Sequence, residues 1–389
     1  MRLMPRKTRY VWEHADWPHL HFDLVTAGPT LLRARQAQGQ VKGMAQAIGL
    51  PDMGQVAQEL WTGEAIATAA IEGENLELAS VRSSVLRHLG QGDAGPSNRR
   101  VEGLVDVMQD ATDGFAEALD AERLCRWQSA LFPGGTAGIR RIAVGRYRDH
   151  DDPMQIVSGL PGREVVHYTA PPSSRVPNEM AAFLAWFEAS RPGAASEIDG
   201  IARAAIAHLW FETIHPFEDG NGRIGRAIAD MALAQDLGEA ARLYSLSRQL
   251  LADRADYYEA LATAQAGSVD VTAFVAWFAD AFREACGRSI AVMQATLEKS
   301  RFWALHAQQT FNDRQRQLIK RLLDAGDGGF LGGLNVDKYL KMTATSKATA
   351  TRDLSDLLQR GLLHATGQGK ALRYYLSVPG WTHGRDGAG

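Results

Sequence analysis

Helical spacing dominates this chain. Ala, Leu, Arg and Glu recur at intervals of three and four residues from about Leu31 to Glu298, while strand-like alternation is scarce. The expectation is a mainly α fold. One stretch departs from the pattern: "MQIVSGLPGREVVHY", Met154 to Tyr168, sets two short β-branched runs around a Gly-Leu-Pro-Gly turn, which predicts a hairpin. "TAPPSSRVP" then breaks the chain before the next helix. With 389 residues, 45% of them hydrophobic, there is enough apolar material for two or three separate cores. Candidate linkers are "GQGDAGPSN" from Gly90, "RPGAASEIDG" before Ile201 and the "GDGGFLGG" turn from Gly326, and "THGRDGAG" reads as a frayed tail.

The bulk charge excludes little by itself: a formal net charge of -3 points to neither nucleic acid nor membrane as a whole-chain partner. Cys125 and Cys286 stand far apart without a second ligand at metal spacing, so neither a disulfide framework nor a zinc site is expected. The basic start "MRLMPRKTRY" is not followed by an apolar core, and no run approaches the roughly 18 apolar residues of a membrane span. A cytoplasmic location is the expectation.

The densest chemistry is "HPFEDGNGRIGR", His215 to Arg226. Ile201 to Thr213 carries apolar residues on more than one face and reads as a buried helix, which the His215-Pro216 step must end near Ile214. From Ile224 the pattern is helical again, so the stretch between is a loop. Gly220 and Gly222 free the backbone on either side of Asn221, so successive N–H groups can line one concavity at the start of the next helix. There the free amides and the helix dipole favour an anion, and Arg223 and Arg226 add charge suited to phosphate. The pattern is not a P-loop, since no Gly-x-x-x-x-Gly-Lys-Ser/Thr occurs. His215 beside such a cradle could accept a proton from a hydroxyl, and Asp219 could hold a magnesium ion against phosphate oxygens. The same residues are also compatible with a tight turn whose arginines solvate a helix face, or with a His215–Asp219 zinc pair, although Pro216 works against the latter.

His215, Phe217, Asp219, Gly220, Asn221, Gly222, Arg223 and Arg226 match, at every fixed position, the signature of Fic-domain proteins. "GRYRDHDDPMQIV" with "HYTAPP" resembles that family's flap, "DYYEALATAQAGSVDVTAFVAWF" its C-terminal helices, and "YVWEHADWPHLHFD" the accessory region of bacterial members that end in a winged helix. The resemblance implies a Fic helical bundle with a β-hairpin flap. It divides the chain into an accessory region at 1–100 with an inhibitory helix, a catalytic domain at 101–300, and a winged helix-turn-helix domain at 301–389. It further implies transfer of AMP from ATP to a Ser, Thr or Tyr hydroxyl of a target protein, self-modification included, with pyrophosphate leaving. His215 would be the general base and Asp219 the Mg2+ ligand. Gly220, Asn221, Gly222 and Arg223 would surround the phosphates, with Arg226 on the terminal one, and Phe217 would pack the loop. Tyr257 and Tyr258 are candidates for adenine contacts, or for aromatic core packing. An extended target segment could add beside the hairpin edge, or the hairpin could only cover the site, and a homodimer is expected from the family.

Trp61 to Ile71 reads as a helix stopped by Gly73, which leaves Glu72 in the last turn, where the dipole disfavours a carboxylate by about 0.3–1 kcal/mol and invites a cation. "TAAIEG", Thr68 to Gly73, matches the family's inhibitory motif, and the resemblance implies that Glu72 pairs with Arg226 in the space of the terminal phosphate. Two rival readings stay open. One is a DNA-binding regulator that only senses nucleotide; the other is an enzyme that removes AMP, with Glu72 positioning water.

The segment from Phe311 to Gly389 holds twelve Lys and Arg against seven Asp, a surplus of five in a chain that is otherwise acidic. "NDRQRQLIKRLLDAG", "NVDKYLKM" and "TSKATATRDLSDLLQRG" read as three capped helices and "LLHATGQGKALRYYLS" as a two-stranded wing. Lys347, Thr349 and Arg352 on the third helix, with Lys370 and Arg373 in the wing, are placed as a DNA reader needs; protein docking is the alternative for such a module.

Overall fold

The helix Gly200–Ile214 is buried at every residue, as expected of a segment that is apolar on all faces and must therefore be surrounded. The fold is built around it. A computed structural model describes residues 10–381, apart from 93–94, 97, 159–164, 195–197, 240–242 and 328. The basic start, the Gly-Leu-Pro-Gly turn and the tail lie outside the described residues, as do parts of all three candidate linkers.

In chain order the helices are α1 (Leu24–Ala47), α2 (Leu50–Ile71), α3 (Leu78–His88), α4 (Arg99–Asp113), α5 (Ala121–Leu131), α6 (Val176–Ala189), α7 (Gly200–Ile214), α8 (Asn221–Leu237), α9 (Leu246–Ala252), α10 (Arg254–Gln265), α11 (Thr272–Leu305), α12 (Asp313–Ala325), α13 (Val336–Thr343) and α14 (Lys347–Gln359). The strands form three antiparallel pairs: β1 (Thr136–Ala137) with β2 (Arg140–Arg141), β3 (Gln155–Ser158) with β4 (Val165–Thr169), and β5 (Leu363–Thr366) with β6 (Arg373–Leu376). The fold is mainly helical, and the two β-branched runs after Met154 do pair, Gln155 with Thr169 and Ser158 with Val165.

The chain divides into two compact units, Met1–Val292 and Met293–Gly389. In the first, α7 packs most extensively on α8 and also meets α1, α6 and α10, while α2 packs on α3 and α9. The residues flanking the Gly90 stretch belong to this one unit, with α3 against α4. Polar caps set the helix starts. Asp199 accepts from Ile201 N and Ala202 N at the start of α7 and takes Arg35 of α1 at 2.8 Å. Glu64, buried on α2, accepts from Ser247 N and Ser245 Oγ at the head of α9, which locks α2 in place. Phe183, Phe187, Trp210, Phe211 and Phe217 fill the interior, each contributing roughly 1.5–3 kcal/mol of apolar burial.

The second unit has its own core, from Leu318, Leu322, Tyr339, Leu354, Leu357 and Leu376. Asn312, Asn335 and Ser346 cap its three short helices as their sequences suggest. Asp353, buried on α14, accepts from Tyr339 Oη at 2.7 Å, Arg314 Nε at 2.8 Å and Asn312 Nδ2 at 3.1 Å, so α12, α13 and α14 converge on one carboxylate. The three donors outweigh burial and hold Asp353 below the usual carboxylate range. Leu334 adds a bridge to Tyr374, beside the β5–β6 pair.

Candidate functional site

Helix α7 stops at Ile214, and His215 turns out of it with φ 51° and ψ 60°, a left-handed conformation that is uncommon for a residue with a Cβ. The surroundings enforce it. Arg148, 2% exposed, donates from Nε to His215 O at 2.8 Å and from Nη2 to Ile214 O and Pro171 O, and its own N–H donates to Pro216 O. With no carboxylate paired to it among the described residues, burial pulls this guanidinium down to about 10. Phe217 is fully buried between Tyr147 and Phe211. Asn221 clamps the same residue by both ends of its amide, Oδ1 to Phe217 N at 2.9 Å and Nδ2 to Phe217 O at 2.8 Å. The side chain of Asn221 therefore shapes the loop, and what it leaves toward an anion is its backbone N–H.

Gly220, at φ 91°, is the N-cap of α8, and the first helical bond is Ile224 N to Gly220 O at 3.0 Å. The amides of Asn221, Gly222 and Arg223 precede that ladder and face outward along the dipole, as an anion site requires. A carboxylate lies close by. A Cβ on Gly222 would collide with Glu72 Oε1, so the Glu72 carboxylate rests against the backbone at the head of α8.

Glu72 is the residue after α2, and Gly73, at φ 81°, closes that helix with Gly73 N on Ala70 O and Glu74 N on Ala69 O. Arg226 Nη2 donates to Glu72 Oε1 at 2.7 Å, Arg226 Nε to Thr68 Oγ1 at 2.8 Å and Arg226 Nη2 to Thr68 O at 3.0 Å. Burial opposes the charge of Arg226, yet Glu72 reverses the balance and raises its affinity for the proton. Tyr258 Oη and Arg254 Nη2 both donate to Ile71 O, which caps the end of α2 from α10. One turn earlier in α8, Arg223 lies over the Phe132 ring, with Glu74 Oε2 at 3.4 Å and Asp219 Oδ1 at 3.6 Å.

His215, Glu72, Gly222, Arg226, Tyr257 and Tyr258 line one cavity of about 540 Å³, closed on another side by Ile156 and Val157 of β3. The two tyrosines diverge. Tyr257 is 2% exposed, stacked on Trp277 and hydrogen bonded to His208 Nε2 at 2.9 Å, whereas Tyr258 is half-open to the cavity. Burial pushes both phenols up. Asp219, Gly220, Asn221 and Arg223 are not among the residues lining this cavity; Asp219 Oδ1 accepts from Gly220 N at 2.7 Å and is part-exposed. Among the described residues no group of three or more His, Cys, Asp or Glu converges as a metal cage.

Against known proteins, residues 118–233 match the Fic/DOC family, and residues 10–91 match a domain of unknown function, DUF4172. Residues 118–233 form a Fic domain. A probable protein adenylyltransferase of Aquifex aeolicus is 31% identical over 104 residues, 27% of this chain and 28% of that protein. A uridine 5'-monophosphate transferase of Xanthomonas campestris pv. campestris is 38% identical over 82 residues, 19% of this chain and 15% of that one. The matches thus span less than a third of either relative. Among solved structures, a Fic family protein from Desulfovibrio desulfuricans covers 91% of this chain and 98% of its own at 23% identity and a TM-score of 0.50. A Fic domain containing signaling protein from Bacteroides thetaiotaomicron covers 67% and 98% at 15% identity and a TM-score of 0.51. These two share the fold.

Within residues 118–233 and beside them the structure also places residues that the motif does not include. Glu212 and His208 are buried on α7, and Gln265 lines the cavity at 2% exposure. For Glu212 and His208 the signal is faint but present: charged or polar side chains inside a helix apolar on every face need a reason to be there, whereas Gln265 lies on the half-exposed α10 and carries no such signal. Glu74 was hidden because its partner, Arg223, lies far along the chain. In the second unit, Lys347 and Arg352 of α14 and Lys370 are exposed. Arg373 is not offered to a partner in the same way, since its guanidinium donates to Gly332 O, Lys370 O and Leu372 O. No helix among the described residues is long and apolar enough to cross a membrane.

Proposed function

We propose that this chain transfers AMP from ATP to a Ser, Thr or Tyr hydroxyl of a protein, itself included, and that Glu72 restrains it. The observation that carries the reading is the lodging of the Glu72 carboxylate on Arg226 and against Gly222, in a cradle built for an anion and open to the same cavity as His215. The adenylyltransferase name of the Aquifex aeolicus relative supports the donor.

In this mechanism the phosphates run along the head of α8, with backbone amides and Arg223 holding them and Arg226 taking the terminal one. His215 accepts the proton of the incoming hydroxyl, the oxygen bonds to the α-phosphorus, and the bond to the β-phosphate oxygen breaks as pyrophosphate leaves. Asp219 fits Mg2+, which binds through one or two carboxylates plus substrate phosphates, because its carboxylate is part-exposed at the mouth of the cradle. Bound there, the ion would neutralise charge on the phosphates. Arg226 cannot serve Glu72 and a terminal phosphate at once, so ATP must displace Glu72 or bind askew.

The test is incorporation of α-labelled ATP by full-length wild type, Glu72→Gly and His215→Ala, with labelled UTP in parallel because a relative transfers UMP. Labelling from ATP that rises in Glu72→Gly and vanishes in His215→Ala supports the reading. Equal labelling by wild type and Glu72→Gly removes the restraint, and labelling from UTP alone replaces the donor.

A further inference from the structure

We propose that Glu212 is the positioning residue of His215: its carboxylate receives the imidazole Nδ1–H, which leaves Nε2 to meet the incoming hydroxyl. This rests on the reading of His215 as general base.

Glu212 lies one turn before His215 in α7 and is 3% exposed. A carboxylate so deep in the protein needs compensating groups. Its Oε2 is 3.7 Å from His215 Nδ1, and its Oε1 faces Gly225, where an added Cβ would meet Oε1 at 2.5 Å and His208 Nδ1 at 3.2 Å. His215 Nδ1, Glu212 Oε1 and His208 Nδ1 are all buried without a hydrogen-bond partner. Three unsatisfied polar atoms therefore gather beside the proposed base, and Glu212 itself lines the cavity that His215 lines. Gly225 is what gives the carboxylate its room.

The duties are divided. Arg148 fixes the backbone of His215 through its carbonyl, and that grip does nothing for the ring. A ring free to rotate would present either nitrogen, and only one tautomer can accept a proton at Nε2. Glu212 is the group within reach that selects it. Burial opposes the Glu212 charge, but His215, His208 and Arg226 together hold its carboxyl below the usual range, so it is ionised when the ring needs an acceptor. The separation of 3.7 Å is longer than a hydrogen bond, and such contacts commonly tighten when substrate completes the site. As the acceptor proton moves to Nε2, the imidazolium that forms is stabilised by Glu212, which itself takes no proton.

The experiment uses full-length Glu72→Gly protein and follows its own labelling by α-labelled ATP, with Glu212→Gln, Glu212→Asp and His215→Ala added singly. Glu212→Gln is expected to lower the rate at saturating ATP by about 10²–10⁴-fold, with half-saturation in ATP within about twofold, and Glu212→Asp to recover part of the loss. A rate within threefold of the parent, with His215→Ala inactive, overturns the role of Glu212 while leaving the base in place. An unchanged rate in His215→Ala removes the base, and this role with it. Rate, ATP affinity and melting temperature falling together, with no recovery in Glu212→Asp, would mark Glu212 as structural and overturn the proposal. Should Glu212→Gln fail to fold, nitrogen-15 NMR of His215 in the Glu72→Gly parent decides: a neutral ring protonated at Nδ1 supports the assignment, and one protonated at Nε2 overturns it.

Discussion

Arg226 of α8 and Glu72 at the end of α2 meet at 2.7 Å, and the arginine is 2% exposed while the glutamate is only part-buried. That asymmetry sets the cost of separating them. Glu72→Gly strands a buried cation, so the variant should lose about 1–3 kcal/mol of stability in the absence of ligand. ATP or pyrophosphate should restore more of it than either adds to wild type, because the anion supplies the missing partner. Melting curves with and without these ligands check both statements.

Glu74 occupies Arg223 as Glu72 occupies Arg226, with a similar burial of both partners, but at 3.4 Å in place of 2.7 Å. At that separation, and with the carboxylate open to water, the pair contributes about 0–1 kcal/mol. Glu74→Ala should therefore raise AMP incorporation by less than about fivefold, well short of Glu72→Gly. Parallel labelling assays of the two variants rank them.

Gly225 leaves 2.5 Å between an imagined Cβ and Glu212 Oε1 in a place with no exposure to relieve the clash. Gly225→Ala should cost about 1–3 kcal/mol by overpacking. Its labelling rate should fall in a Glu72→Gly background even where the protein remains folded. Urea unfolding measures the first effect and single-turnover labelling the second.

Burial lowers His208 from its ordinary value of 6.5, and the net effect on Glu212 is likewise downward from 4.5. Both groups bind protons more readily in the unfolded chain, so each contributes stability that is complete above its ordinary value and is lost as pH falls toward its folded value. Stability should begin to decline below about pH 6.5 through His208, by at most about 1.4 kcal/mol per pH unit, and again below about 4.5 through Glu212. His208→Gln should flatten the change between pH 7 and 5.5. Urea midpoints across that range decide it.

Helix identities and most of their ends were legible along the chain. Asn312, Asn335 and Ser346 announce the starts of α12, α13 and α14, His215-Pro216 ends α7, and Gly73 ends α2. The start of α2 was less so: the helix begins at Leu50, its first turn carrying Pro51, and α8 begins at Asn221, ahead of the first clearly periodic residue, Ile224. In both cases capping geometry, rather than apolar spacing, sets the boundary. The loop residues from His215 to Arg226 were legible as a set, although the use of the Asn221 side chain was not: an amide has the same chemistry toward a phosphate as toward Phe217, and only packing chooses between them.

What the residues dictated without help from the fold is local: a break after α7, a glycine-bracketed nest of amides, two arginines beside it, and a carboxylate at an unfavourable helix end. These follow from backbone angles, caps and dipoles, which act within a turn or two. Which charge answers which could not be read in that way. Glu72 reaches Arg226 across 154 positions because Glu64 and the serines at the head of α9 fix α2 alongside, and Glu212 stands beside His215 because Gly225 leaves space between α7 and α8. Such pairings depend on how whole helices pack, and packing is a property of the assembled interior.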